Sequence, residues 1–259
     1  MSTQDRVSTD TRPPGVRSIV RATELLQHFH PHHPTRSLRE LVELTGLPKT
    51  TVVRLLATLM SLGLITSTSE RVYSPGAAFL RWVRLSRSMW EVNPETRAVM
   101  RDLVDECGET ANVYVRQDTY RVCVAQHEGT ATVRSVVEVG VPLPLTAGAA
   151  SKVLLGGTPP DVFDGIKAKE PHVDIDALKR QVAAITEIGY AITHGDREFG
   201  ASAVAAPVRH RDGRIIAALS ASGPTSRFTA ERVSGYIPSV TRAAARITDS
   251  GLGTMEAFL

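Results

Sequence analysis

Between Lys49 and Thr58 the chain reads KTTVVRLLAT. On a helix that advances about 100° per residue, Thr50, Thr51, Arg54 and Thr58 gather on one side, with Lys49 beside them in the first turn. That side offers an ammonium, a guanidinium and hydroxyls but no carboxylate, so phosphate oxygens and guanine edges would meet donors without repulsion. A second group of residues suits a small ligand. Ala147 to Ser151 places small side chains at the start of a short helix, where free N–H groups and the helix dipole favour an anion such as a carboxylate. Ser220 and Ser222 alternate within ALSASGP, so a strand would point both hydroxyls to one face and into a pocket.

No catalytic set accompanies them. Gly148 to Val153 (GAASKV) lacks the Gly before Lys152 and the Ser or Thr after it that a phosphate loop needs, and neither a nucleophile elbow nor H-E-x-x-H is present. His28, His30, His32 and His33 lie in HFHPHHPTR beside Pro31 and Pro34, a polar turn with no carboxylate or Cys to complete a tetrahedral site. We expect no metal and no cofactor. The two cysteines, Cys107 and Cys123, are too few for a disulfide framework and read as small buried residues. They also supply the competing reading, a cysteine-dependent enzyme with an appended DNA-binding module.

The cationic side needs elements that present it. Ser37 can cap a helix with Glu40 reaching back to it, Leu38, Leu41, Val42 and Leu44 form its apolar stripe, and Gly46 ends it. Pro48 then opens the next helix, in which Val52, Leu55, Leu56 and Leu59 form the buried face. A preceding helix, Ser18 to Phe29, and a following hairpin, LITSTSERVYSPG, complete three helices and a wing. Ala77 to Trp90 continues as a connecting helix with Ala78, Phe79, Trp82, Val83, Leu85 and Met89 on one side. Two tryptophans and a Phe there point to pairing with a second copy, which would set two recognition helices on a two-fold axis over a palindromic site.

From Pro94 the pattern changes. A helix over 95–106 closes at Gly108, and strands follow at Thr110–Arg116 and Tyr120–Gln126, with a third at Thr132–Glu138. GVPLPLTAGAASKVLLGG passes from an extended segment into a short helix. Asp176–Ile188 is amphipathic and ends at Gly189. Strands are expected at Tyr190–Thr193, Ala203–Pro207 and Ile215–Ala221, the last two joined at Asp212-Gly213, before a final helix over Thr229–Thr248. The mixture is that of an α+β sensor domain.

Length and charge agree with two parts. A chain of 259 residues can bury two cores. Residues 1–92 carry 12 Lys and Arg against 7 Asp and Glu, whereas 93–259 carry 18 against 20, so a basic module precedes a near-neutral one. No apolar run approaches the roughly 20 residues that span a bilayer, and the start lacks an apolar signal core, so a cytoplasmic protein without a membrane partner is expected. Residues 1–15 read as a mobile arm, 16–76 as the winged helix-turn-helix domain, 77–93 as the linker and dimerisation helix, 94–249 as the effector-binding domain and 250–259 as a tail.

Four stretches, LxELxxLTGLPKTTVxRLLxTLxxxGLI, PLxAGAASKxLL, GYAITHGDREFG and SAVAAPVRHRDGRIIAALSASGP, resemble the IclR-type transcriptional regulators of bacteria from about Val16 to Thr248. The resemblance implies a winged helix-turn-helix on a palindromic double-stranded operator and a C-terminal GAF-like α/β domain for a small, often carboxylate-bearing effector. It further implies a homodimer or a dimer of dimers acting as a repressor or an activator, of which we expect a repressor. It places DNA contacts on Lys49, Thr51 and Arg54, and effector contacts on Ala149, Ala150, Ser151, Thr193, Ala203, Ser220 and Ser222. Several relatives have Gly in place of Ser151, an acid in place of Thr193 and Cys in place of Ala203. Loss of that acid and thiol argues against a glyoxylate-type ligand, with Asp196 taking a polar role and Leu143 and Leu145 suiting a larger, less polar one.

Overall fold

A computed structural model describes residues 16–259, so the expected arm at 1–15 lies outside the described residues. The chain divides at Arg87/Ser88 into two compact units.

The first unit contains α1 (Arg17–Leu26), β1 (Arg36–Ser37), α2 (Leu38–Thr45), α3 (Lys49–Ser61), β2 (Ile65–Ser67) and β3 (Val72–Pro75). The chain enters α2 through the capping box: Glu40 N–H donates to Ser37 Oγ at 3.3 Å, and Ser37 N–H donates to Glu40 Oε2 at 2.7 Å. Gly46 leaves it at φ 61°, a left-handed conformation that only glycine adopts without cost. Leu25, Leu41, Val52, Leu56, Leu59 and Ile65 form one buried cluster, so the three helices and the first wing strand share a core. The wing is antiparallel, in the order β1-β3-β2. α1 stops three residues before Phe29, and the histidine loop is a tight turn closed by His33 N–H to His30 O at 2.8 Å.

α4 (Ala78–Trp90) crosses the division and buries none of its residues. Leu80, Trp82, Val83 and Leu85 are each about half exposed or more.

The second unit contains α5 (Pro94–Cys107), β4 (Thr110–Gln117), β5 (Tyr120–His127), β6 (Pro142–Pro144), α6 (Ala149–Leu154), α7 (Pro160–Lys169), α8 (Ile175–Ile188), β7 (Ala191–His194), β8 (Ala201–Arg209), β9 (Ile215–Pro224) and α9 (Ala230–Ser250). Its six strands form one antiparallel sheet in the order β6-β5-β4-β9-β8-β7. The alternation of a strand sends Ala111, Val113, Val115, Val204, Val208 and Leu219 to one face, where α5 and α9 cover them. Tyr114, Cys123, Ala205 and Ala218 go to the other, under α6, α7 and α8. The central β9 is buried on both faces and is correspondingly rich in Ala and Ser.

Two elements differ from the sequence reading. Thr132–Glu138 is not a strand; 131–139 has no regular structure, and Val133, Val136 and Val139 are more than half exposed. The Gln126 side chain serves as partner for this segment, accepting from Val137 N–H at 2.9 Å and donating to Val137 O at 3.0 Å. The third strand is instead Pro142–Pro144 at the sheet edge, where residues without an N–H leave no ladder bond unmade. α7, behind Pro159 and Pro160, has no counterpart in the sequence reading. Three of its residues, Val162, Phe163 and Ile166, are its buried ones.

Candidate nucleic-acid face and effector cavity

In the first unit, Lys49, Thr50, Arg54 and Thr58 are exposed and Thr51 is half-buried; Thr50, Thr51, Arg54 and Thr58 lie on the side of α3 away from Val52, Leu56 and Leu59, and Lys49 projects from the first turn. The first turn holds no acidic residue, and Pro48 caps it without a side-chain acceptor, so its leading N–H groups stay open to an anion. Among the described residues, neither Lys49 nor Arg54 has an ion-pair partner within 4 Å. The acids of the neighbouring α2 are occupied, Glu43 by Arg39 at 2.9 Å and Glu40 by the cap at Ser37. Thr58 donates its hydroxyl to Arg54 O at 3.1 Å, which leaves its oxygen as the outward group.

In the second unit, strand register assembles what the sequence holds apart. Thr193 pairs with Ala203, and Ala203 with Ser222, forming a row across β7, β8 and β9; Ser220 stands opposite Asn112 on β4. Thr193, Ala203, Ser220 and Ser222 share the α6 side of the sheet and line a cavity of about 40 Å³. Ala149 and Ala150 supply its α6 wall, and Tyr114, Arg121 and Arg197 supply walls that the sequence reading did not include. The alternation in YRVCVAQ carried a signal for one of them, because Arg121 shares the buried parity of Cys123 and Ala125. Ser135 and Val137, also in the lining, come from the segment that Gln126 holds in place.

Ser151 and Asp196 are not in the lining. Asp196 instead occupies the start of α6, accepting from Gly148 N–H at 2.7 Å and from Lys152 Nζ at 2.9 Å. Partial burial opposes ionisation, but the Gly148 N–H and the Lys152 ammonium hold its carboxyl below the usual range. Ala149 N–H donates to Thr193 Oγ1 at 3.1 Å. Two of the N–H groups expected to receive a ligand anion, those of Gly148 and Ala149, therefore already have protein acceptors. Ser151 Oγ donates to Pro144 O at 3.2 Å and accepts from Arg121. Ser222 Oγ accepts from Asn112 Nδ2 at 3.1 Å, whereas the Ser220 hydroxyl has no protein partner among the described residues.

Neither cysteine is placed as a nucleophile. Burial pushes the Cys107 thiol up to about 11 and the Cys123 thiol up to about 12, so both stay protonated near neutral pH.

Residues 18–69 match the profile of the IclR helix-turn-helix domain, and 87–249 match that of the bacterial transcriptional regulator IclR C-terminal domain. The chain belongs to the IclR family. It is 29% identical over 240 residues to the HTH-type transcriptional regulator KipR of Bacillus subtilis, covering 90% of this chain and 96% of that protein. It is 28% identical to the transcriptional repressor IclR of Escherichia coli, over 90% and 89% of the two chains. A crystal structure of an IclR-family regulator from Rhodococcus sp. shares 44% identity and superposes with a TM-score of 0.63, over 98% of this chain and 100% of that one. An IclR homologue from Microbacterium hydrocarbonoxydans, 20% identical with a TM-score of 0.70 over 93% and 99%, shares the fold and was crystallised with 4-hydroxybenzoate. These IclR-family relatives are transcriptional regulators and not enzymes, which removes the cysteine-enzyme reading. No helix among the described residues is long and apolar enough to cross a membrane.

Proposed function

We propose that the chain is a cytoplasmic repressor that grips a palindromic operator as a homodimer, or a dimer of dimers, and changes its grip when a small organic acid enters the cavity of the second unit. The observation that carries this reading is the unpaired cationic face of α3, whose Lys49 and Arg54 are exposed with no acid beside them. Lys49, Thr50, Thr51, Arg54 and Thr58 are the proposed DNA contacts. The exposed Leu80, Trp82, Val83 and Leu85 of α4 support association of two copies, because so large an apolar face on one short helix is unfavourable in water.

The proposed effector contacts are Ala149, Ala150, Thr193, Ala203, Ser220 and Ser222 around the cavity, with Ser151 and Asp196 fixing the α6 wall behind them. With Thr193 and Ala203 in its row, the cavity presents neither acid nor thiol, which supports an acid other than glyoxylate. A cavity of about 40 Å³ holds two or three water molecules, so a larger ligand requires its walls to give way. Coupling that movement to operator affinity calls for about 1 to 3 kcal/mol between the two sites.

The test is a fluorescence-anisotropy titration against the DNA upstream of the chain's own gene. Replacing Arg54 with Ala should weaken operator binding about 5- to 150-fold, the equivalent of 1 to 3 kcal/mol for a base-reading arginine. Undiminished affinity in that variant would remove α3 as the reading helix.

A further inference from the structure

The effector cavity contains a cation that the protein leaves without a counter-charge. Arg121 sits on the buried face of β5 and is 3% exposed. Its guanidinium lies 5.0 Å from the centroid of the Tyr114 ring. Nη1 donates to Ala147 O at 2.7 Å and to Ser151 Oγ. Nε is shut off from solvent and has no acceptor, and no acceptor for Nη2 is present among the described residues. Asp196 is the acid whose field reaches it, but that carboxylate is committed to Lys152 and to Gly148 N–H. The other charged wall, Arg197, adds a like charge, and its own partner Glu198 is exposed.

Desolvation, with Arg197 adding to it, lowers the Arg121 pKa from its ordinary value, yet a guanidinium keeps its proton in any protein environment. The charge therefore persists where water cannot screen it, and an isolated buried ion is strongly unfavourable unless something pairs with it. Tying β5 to the segment before α6 does not explain it. Those two contacts use Nη1 alone and leave the Nε–Nη2 edge without an acceptor among the described residues.

We propose that Arg121 is the counter-ion of the effector, so that the cavity selects a small organic anion whose carboxylate binds along the Nε–Nη2 edge. That edge presents two parallel N–H groups, the arrangement that receives a carboxylate through both oxygens. The Tyr114 ring beneath the guanidinium walls the acid group from one side, and the unpartnered Ser220 hydroxyl is left for a second polar group on the ligand. Uncharged and cationic metabolites of the same shape are rejected, because they leave the guanidinium bare. The inference rests on the reading of this cavity as the effector site.

The experiment uses the full-length protein and a panel of carboxylic acids of two to nine carbons, benzoate and 4-hydroxybenzoate included, each beside its neutral amide. Thermal shift ranks them and calorimetry gives affinities. Acids should stabilise the wild type and amides should not. Arg121→Gln, which removes the charge and keeps a polar side chain, should lose about 10- to 100-fold in acid affinity. Arg121→Lys should keep a preference for acid over amide. Operator affinity should be unchanged in both variants, which reports that they are folded. Amides binding as well as acids, or an Arg121→Gln protein with undiminished acid affinity, would overturn the proposal. Should Arg121→Gln fail to fold, the wild-type and Arg121→Lys comparisons of acid with amide still decide it. If neither series shifts the wild type, the cavity is not the effector site and the reading beneath this proposal falls as well, whereas binding confined to amides defeats this inference alone.

Discussion

The two cationic sites do the same elementary thing, offering N–H donors and positive charge to an anion, in opposite surroundings. Lys49 and Arg54 stand in water on the outer side of α3, where their charge is fully solvated until a polyanion arrives. Arg121 stands in a cavity with its solvation already removed. On the surface, affinity comes from many weak contacts and the release of counterions, and ions in solution compete for it. In the proposed effector site, a ligand charge would meet a buried guanidinium at lower dielectric, with less screening by dissolved ions.

Salt should expose the difference most strongly. If a dimer neutralises four phosphates through its cationic faces, raising salt from about 50 to 200 mM should weaken operator binding roughly 150-fold. Acid binding by the same protein over that range should change less than about threefold. Equal salt slopes at both sites would erase the distinction.

Desolvation also acts on the two thiols, Cys123 two residues from Arg121 and Cys107 at the end of α5. With Cys107 pushed up to about 11 and Cys123 to about 12, each should present on the order of 100-fold less thiolate than an exposed cysteine, or less still. Maleimide labelling at neutral pH should be correspondingly slow in the native protein and fast in urea. Rapid native labelling of Cys123 would show that this layer is wet.

Replacing Ser220 and Ser222 together with Ala should cost about tenfold in acid affinity, from two hydrogen bonds of ordinary strength, while operator affinity stays unchanged. A matching loss in DNA binding would mean that the pair shapes the fold and not the cavity. Ser37→Ala should have the smallest effect, removing the capping box of α2 and destabilising the first unit by about 1 kcal/mol. It should show as a drop of a few degrees in melting temperature with ligand binding untouched.

The reading helix was legible in the sequence because every rule that builds it is local. The spacing of Val52, Leu55, Leu56 and Leu59, the box at Ser37 and Glu40, and the glycine at 46 each act within a few residues, and α2 and α3 form where those signals place them. The strands around Thr110, Tyr120 and Ile215 were legible for the same reason, since alternation and turns are properties of a short window. Valine content misled the reading at Thr132–Glu138, because a strand needs a neighbour with free N–H and C=O groups, and there the Gln126 side chain took that place.

The cavity needed the whole fold. Thr193, Ala203 and Ser222 lie in three different strands, and the register of an antiparallel sheet alone puts them in one row. The start of α6 looked like an anion site in the sequence, until the fold brought Asp196 and Thr193 to fill it from within. Arg121 read as an ordinary strand residue, and only the closing of α6 over β5 left its guanidinium buried without a partner. Helix periodicity and caps are written over distances of a few residues, so the sequence determined α2 and α3. Burial and pairing of charge depend on residues far apart in the chain, so tertiary structure alone decided what the cavity can hold.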